Sequence, residues 1–178
     1  MANKAFDYYK ELPSWAKGAV VVGVLGVTYI FASQIIKRIR QQAEDAKSRA
    51  SLKNAETELK DLIKSGVAPT FPKSQFDAWA GQIQKQFEGC DFSATYHSSA
   101  LPLASNSFLL VEKIIKQIKN NSDWLSLISA FGVRTYEGCM FYTTVSGDLP
   151  KCIVDELSSQ EIDVLNKLLT TKGISYKL

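Results

Sequence analysis

The chain has 178 residues and a mean hydropathy of −0.07, and its formal net charge of +3 is unevenly distributed. Residues 1–36 carry +1, residues 37–73 carry +4 and residues 74–178 carry −2. A nucleic-acid-binding domain needs a basic face, so this distribution argues against nucleic-acid binding except through the middle segment. The chain has three widely separated cysteines, with no CxxC pair and no pattern of a disulfide framework. This usage favours reduced thiols in a cytoplasmic compartment.

An uncharged run of nineteen residues, from Gly18 to Ile36, predicts a transmembrane helix. At about 1.5 Å per residue, a helix of this length just crosses the roughly 30 Å hydrocarbon layer of a bilayer. A secretory signal peptide has a core of only about 7–15 residues and ends at a small-residue cleavage site, whereas this run ends in a basic cluster. We therefore favour a span over a cleaved signal or a buried soluble helix. The predicted lead covers residues 1–14, and the predicted membrane helix covers residues 15–36.

The residues that flank this run have the character of a membrane interface. An aromatic residue and a lysine precede the run, and a basic cluster follows it. The five predicted interface residues are Trp15, Lys17, Lys37, Arg38 and Arg40. Lys and Arg are more numerous after the run than before it. This bias predicts a single-pass protein with its C-terminal domain on the cytoplasmic side of a cell membrane.

Residues 37–64 predict a basic stalk helix, because neither Gly nor Pro interrupts them. Their apolar stripe is thin and rich in Ala, which favours a stalk docked near the domain over a long coiled coil. The helix should end at Gly66, which suits the left-handed cap position, and residues 65–73 form the predicted linker. In the span itself, the small residues Ala19 and Gly23 could let two helices pack, so a homo-oligomer stays open.

Residues 74–178 predict a small helical domain that opens with an amphipathic helix. Ser74 and Asp77 have the spacing of a capping box, and the helix should run to about residue 87. Its apolar positions recur at helical spacing and form one predicted core face: Phe76, Trp79, Ala80, Ile83 and Phe87. Residues 89–106 are rich in Ser, Ala and turn formers and predict a loop.

Helix caps and one β-rich segment predict the rest of the domain. Helices are expected over residues 107–119, 123–131, 150–157 and 158–172. Ser122 should cap the second of these, and Ser158 with Glu161 should form a capping box at the start of the last. Residues 133–145 predict a strand or hairpin, with which residues 174–178 would pair. The predicted fold class is therefore mainly α: a transmembrane helix, a long stalk helix and a small helical domain with at most one short two-stranded β element.

Part of this domain resembles one annexin-type helical repeat. The phrases that carry the resemblance are KIIKQIKN, SDWLSLISAFG and DLPKCIVDELSSQEIDVLNKLL, which lie within residues 108–169. The resemblance implies the five-helix packing of such a repeat. It does not imply calcium binding, because the stretch that corresponds to the calcium loop, residues 101–106, contains neither a Gly nor an acidic residue.

The layout of the whole chain resembles that of small single-span proteins of phages that infect flavobacterium-type hosts. The shared features are LPSWAKG at the start of the span, a basic stalk, PTFPKSQ before the first domain helix, DWLSLISAFGVR, and a final helix LSSQEIDVLN that ends in KGISY. Some of those phages are icosahedral with a membrane beneath the capsid. The resemblance implies a structural protein of the virion's internal membrane, whose partners are the lipid bilayer and the capsid or other virion membrane proteins.

The sequence offers one weak candidate for catalysis or metal binding. His97, the only histidine, could act as a base for Cys90 or bind a metal with Cys90 and Asp91. A catalytic dyad usually needs a third orienting group, and a structural zinc site needs four ligands. We therefore expect a surface loop histidine, no enzyme, no metal and no cofactor. A host-membrane or lysis-associated enzyme that uses Cys90 and His97 stays an alternative, as does a nucleic-acid tether that acts through the basic stalk.

Arg134 is the one domain residue predicted as a candidate partner contact. The interpretation that we favour is a structural ion pair with Glu137, Asp155 or Glu156 that ties helix ends together. Two residues of the predicted helix that precedes Arg134 have simpler predicted roles. Trp124 should fill the core, and Asp123 should place a negative charge at the N-terminus of its helix, where such a charge is favourable.

Overall fold

The structure is a computed structural model that describes residues 40–89, 94–96, 101, 103–137 and 144–178. Within this part of the chain the helices are α1 (residues 40–64), α2 (Lys73–Glu88), α3 (Asn106–Gln117), α4 (Asn121–Phe131), α5 (Leu149–Glu156) and α6 (Ser159–Thr171). The strands are β1 (Ala94–Tyr96), β2 (Leu103–Ser105), β3 (Arg134–Glu137) and β4 (Thr144–Gly147). The mainly helical class is confirmed. The predicted lead and span lie outside the described residues.

The strands form two separate antiparallel pairs, β1 with β2 and β3 with β4. The second pair is the hairpin predicted over residues 133–145, with Tyr136 opposite Val145. The first pair lies in the segment predicted as a loop, so the prediction of at most one β element is wrong. Residues 174–178 form no strand, and side chains of α4 and α6 hold this tail instead. Asn121 Oδ1 accepts a hydrogen bond from Ser175 N at 3.1 Å, and Asn166 Oδ1 accepts one from Leu178 N at 2.8 Å.

Residues 44–178 form one compact unit. From residue 44 onward α1 packs on the core of this unit. Its Ala55 is buried there, and Leu52, Leu59 and Leu62 are partly buried. Near the start of this stretch, Asp45 Oδ1 accepts a hydrogen bond from Ser146 Oγ at 2.6 Å.

The predicted helix end at Gly66 is confirmed. Gly66 has a φ of +91°, which favours glycine, and its N–H donates to the carbonyl of Ile63 at 3.1 Å. The next residue, Val67, donates to the carbonyl of Leu62 at 2.9 Å. These two hydrogen bonds make a Schellman motif, which satisfies carbonyls that the helix end would otherwise leave unpaired.

The core face predicted for α2 is confirmed in full, since all five of its apolar residues are buried. The predicted cap of this helix is wrong. Pro72, whose ring fixes φ near −68°, precedes the first helical residue, and no side chain caps the helix. Ser74 therefore lies inside the first turn. The Asp77 carboxylate instead pairs with the ammonium of Lys73 at 2.7 Å.

Of the other two predicted caps, one is confirmed and one is wrong. The Ser158–Glu161 capping box of α6 is present as predicted. Ser122 does not cap α4, because the preceding Asn120 does so through a 2.9 Å hydrogen bond from Asp123 N to its side-chain oxygen. The freed Ser122 hydroxyl donates to the carbonyl of Val67 at 2.5 Å.

Helices α3 and α6 lie side by side and run in the same direction. At their N-terminal ends, Glu161 of α6 accepts hydrogen bonds from Ser105, the cap of α3. At their C-terminal ends, Lys172 Nζ donates to the carbonyls of Ile118 at 2.7 Å and Lys116 at 2.8 Å. Each end therefore carries the charge that complements two aligned helix dipoles.

Candidate functional site

The segment that joins α1 to α2 is fixed against the start of α4. Asp123 is fully buried in the first turn of α4, and its carboxylate accepts hydrogen bonds from Thr70 N at 2.6 Å, from the Thr70 hydroxyl and from Lys119 N at 2.9 Å. Asp123 therefore occupies the predicted position, but it also binds a residue 53 positions away. No local sequence pattern indicates this partner.

Three aromatic rings pack against one another beside this junction. Phe71 contacts Trp79 edge-on with ring centroids 5.1 Å apart, and Phe76 contacts Trp79 at 5.7 Å. Edge-to-face pairs in this distance range add about 0.5–1.5 kcal/mol beyond the area they bury. Phe71 is only partly buried, so one of its surfaces stays available beside a fixed backbone.

An apolar groove lies where α1, α2, α4 and the segment before α2 meet, and we call it the α1–α2–α4 groove. It has a volume of about 290 Å³. Its apolar lining consists of Leu59, Pro69, Phe71, Phe76 and Ala130. Ser126 and Ser129 add two half-buried hydroxyls from α4, and neither hydroxyl has a hydrogen-bond partner among the described residues.

The charges around the α1–α2–α4 groove are positive in sum. Lys73 and Asp77, which also line it, neutralise each other through two 2.7 Å contacts. The exposed ammonium of Lys119 lies 5.7 Å from the centroid of the Phe71 ring. No carboxylate in the described part of the chain pairs with Lys119, so its charge stays uncompensated there.

Arg134 has a different role from the ion pair that the sequence favoured. Its guanidinium donates to the carbonyls of Phe131 at 2.7 Å, Ala130 at 3.4 Å and Ala80 at 3.4 Å, and to the Gln84 side chain. In the part of the chain that is described, it forms no ion pair with Asp155 or Glu156, and the Glu137 side chain lies outside that part. Arg134 thus joins the end of α4 to α2, and burial lowers its pKa. Partner contact by Arg134 stays a prediction.

Three titratable groups, two of them buried and one half-buried, lie where β3 meets α5. Burial raises the pKa of the Cys152 thiol to about 12, and it also raises the pKa of Tyr136 and of Glu156. Cys152 Sγ donates to the carbonyl of Gly147 at 3.6 Å. A thiol with a raised pKa is a poor nucleophile, because the thiolate is the reactive form. Cys152 therefore acts as a small apolar residue of the core. Trp124 is fully buried and fills the core, as predicted.

Glu161 is the most highly connected carboxylate in the described structure. Its Oε1 accepts hydrogen bonds from Ser105 N at 2.8 Å and Ser105 Oγ at 2.7 Å. Its Oε2 accepts from Ser158 N at 2.9 Å and Ser158 Oγ at 2.8 Å. Burial alone would raise its pKa, but these hydrogen bonds stabilise the charged form and hold the pKa below its usual value. The capping box was predicted, whereas the bridge to Ser105 was not.

Most of the predicted site residues lie outside the described part of the chain: Trp15, Lys17, Lys37, Arg38, Cys90, Asp91 and His97. Arg40 lies within it and is helical and exposed. Among the described residues, no helix is both long enough and apolar enough to cross a membrane. In the same residues, no group of three or more His, Cys, Asp or Glu side chains is placed to hold a metal ion.

Comparison of the chain with family models, with curated proteins and with solved structures gives no match. The resemblances to an annexin-type repeat and to phage membrane proteins therefore stay predictions.

Proposed function

We propose that the protein is a structural membrane protein of a virion. One transmembrane helix over residues 15–36 anchors it, and its helical domain docks on the capsid or on neighbouring membrane proteins. The observation that carries the proposal is the uncharged run of nineteen residues between Lys17 and Lys37. The run contains ten Val, Leu, Ile or Phe residues, each of which favours insertion by about 0.3–0.6 kcal/mol at the centre of a span.

The position of the basic residues supports contact with lipid headgroups. Lys37, Arg38 and Arg40 follow the run directly, whereas residues 41–64 contain five Lys or Arg and five Asp or Glu. The positive excess of the stalk is therefore concentrated at the predicted membrane surface. Each basic residue there contributes about 1 kcal/mol of attraction to anionic lipids. A nucleic-acid tether would instead need an excess along the helix, so this distribution favours the bilayer as the partner.

The experiment that tests the virion role is cross-linking of purified particles followed by mass spectrometry. We expect the chain in the particles, with cross-links from lysines of residues 44–178 to the capsid protein or to other membrane proteins. Particles that lack the chain, or a domain that cross-links only to the genome, would contradict the proposal. The alternative enzyme is tested separately, because Cys90→Ala and His97→Ala would abolish its activity and should leave particle assembly unchanged.

Orientation has its own test. In sealed inverted vesicles, whose cytoplasmic face is outward, added protease should digest the domain and leave a fragment protected by the membrane. Protection of the domain in such vesicles would mean that the predicted direction of insertion is wrong.

A further inference from the structure

We propose that the α1–α2–α4 groove binds one aromatic side chain of a partner protein, with an acidic group of the same partner placed beside Lys119. This inference rests on the proposed docking role and names the chemistry that the docking partner would present. The observations that carry it are the volume of the groove, its fixed apolar lining and the uncompensated charge of Lys119 beside Phe71, one of the lining residues.

The volume suits a single large side chain. At about 290 Å³ the groove is just below the range of roughly 300–1,000 Å³ that is usual for sites of drug-sized ligands and cofactors. Buried aromatic anchors that fill such pockets dominate the binding energy of many protein interfaces. The two hydroxyls of Ser126 and Ser129 can accept a hydrogen bond from an indole N–H or a phenol, which an aliphatic anchor would not supply.

The walls of the groove are fixed before any partner arrives. The backbone on either side of Phe71 is held by the Thr70–Asp123 hydrogen bonds and by the start of α2, and the ring contacts Trp79 at 5.1 Å. A preformed site avoids the cost of ordering side chains on binding, which is about 0.5–1.5 kcal/mol for each flexible side chain. The groove is therefore suited to hold an anchor without rearrangement.

Charge complementarity decides what accompanies the anchor. Lys73 and Asp77 cancel at the rim, and Lys119 leaves one positive charge next to Phe71. A partner carboxylate beside the anchor would meet this ammonium, whereas a partner cation would be repelled. For an exposed pair the expected preference is about two- to fivefold in affinity.

The test uses the full chain in phosphatidylcholine nanodiscs and two small probes, indole-3-propionate and tryptamine, which differ in the sign of their charge. Saturation-transfer NMR measures the binding of each probe. We expect indole-3-propionate to bind at millimolar concentration and about two- to fivefold more tightly than tryptamine. Lys119→Glu should reverse that preference. Equal binding of the two probes, or a preference that Lys119→Glu does not change, would overturn the proposal.

Variants that fill the groove distinguish probe binding in the groove from probe binding to the lipid or to other protein surfaces. Ala130→Trp places a ring in the groove and should abolish binding, whereas Ala50→Trp on the exposed side of α1 is the matched control and should not. If Ala130→Trp fails to fold by circular dichroism, Ser129→Trp at the rim serves the same purpose. Binding that survives either groove variant would overturn the proposal.

The same experiments would also reveal either of two other occupants of the groove, and either result would overturn the proposal. Hexanoate that binds as tightly as indole-3-propionate would indicate an acyl chain. Self-association that Ala130→Trp removes would indicate a second copy of this chain. The membrane-anchoring proposal is measured by extraction from membranes, so the failure of one proposal is distinguishable from the failure of the other.

Discussion

Replacing Glu161 by Gln should strongly destabilise the domain, because this carboxylate joins the N-terminal ends of α3 and α6. Each of its oxygens accepts one backbone N–H and one hydroxyl, from Ser158 on one side and from Ser105 on the other. A Gln amide keeps one oxygen acceptor and turns an NH₂ group toward the other backbone N–H. One buried N–H then loses its partner, at a cost of about 1–3 kcal/mol, and a charge-assisted hydrogen bond is lost as well. We expect a total loss of about 2–4 kcal/mol in the free energy of unfolding.

The assay is urea unfolding of the full chain in nanodiscs, with tryptophan fluorescence as the measure of unfolding. Glu58→Gln is the matched control, since Glu58 lies exposed on α1 and should change stability by about 0.5 kcal/mol at most. The hydrogen bonds lower the folded-state pKa of Glu161, so the stabilisation is complete above the unfolded pKa of about 4.3. It is lost as the pH falls through the folded pKa. The difference between wild type and Glu161→Gln should therefore be large at pH 7 and shrink in acid, and a difference that is small or independent of pH would refute the reasoning.

Three further predictions concern buried groups. Asp123→Ala leaves the backbone N–H groups of Thr70 and Lys119 without their acceptor and should cost about 2–5 kcal/mol, measured by the same unfolding assay. Arg134→Lys should cost about 1–2 kcal/mol although the charge is kept, because an ammonium cannot reach the α2 and α4 carbonyls as a planar guanidinium does. Cys152 should resist alkylation at pH 7–8 in the folded protein and react only in urea, as mass spectrometry would detect, because burial holds the pKa of its thiol near 12.

Each of these predictions has a result that would contradict it. Unchanged unfolding of Asp123→Ala would mean that the segment before α2 is held by other contacts. Equal stability of Arg134→Lys and wild type would mean that the carbonyl contacts contribute nothing. Rapid alkylation of Cys152 in the native protein would mean that the thiol is accessible.

Sequence reasoning succeeded where the determinants are local. The α2 core face follows from the 3–4 spacing of its apolar residues, and the Ser158–Glu161 capping box follows from two residues three apart. The positive-φ glycines at helix ends, such as Gly66, follow from the same short-range rules. These features depend on neighbours within one or two turns of a helix.

Sequence reasoning failed where contacts cross long stretches of chain. Glu161 binds Ser105 across 56 positions, and Asp123 binds Thr70 across 53. No local pattern marks such partners. The β1–β2 pair was missed for a related reason, because a Ser- and Ala-rich composition predicts a loop while pairing between strands depends on tertiary context. The α1–α2–α4 groove is built from three separated segments and could not be predicted at all.

The local failures have local physical reasons too. Ser74 has the residue type and spacing of a cap, but Pro72 occupies the cap position and the helix starts two residues earlier than predicted. Ser122 is a second cap candidate, but Asn120 caps the helix by accepting from Asp123 N, and the Ser122 hydroxyl donates to the Val67 carbonyl. In both cases the residue that starts the helix lies two positions before the predicted cap.

The central claim, a single membrane span over residues 15–36, is tested most directly by extraction of the full chain from membranes at alkaline pH. Wild type should stay in the membrane pellet. The double substitution Val24→Lys and Val27→Lys should release it, because two lysines at the centre of the span cost about 5–7 kcal/mol, more than the run can offset. Gln34→Lys is the matched control and should stay in the pellet, since a lysine so near the helix end can extend to the headgroups. Release of the wild-type chain into the supernatant would contradict the account.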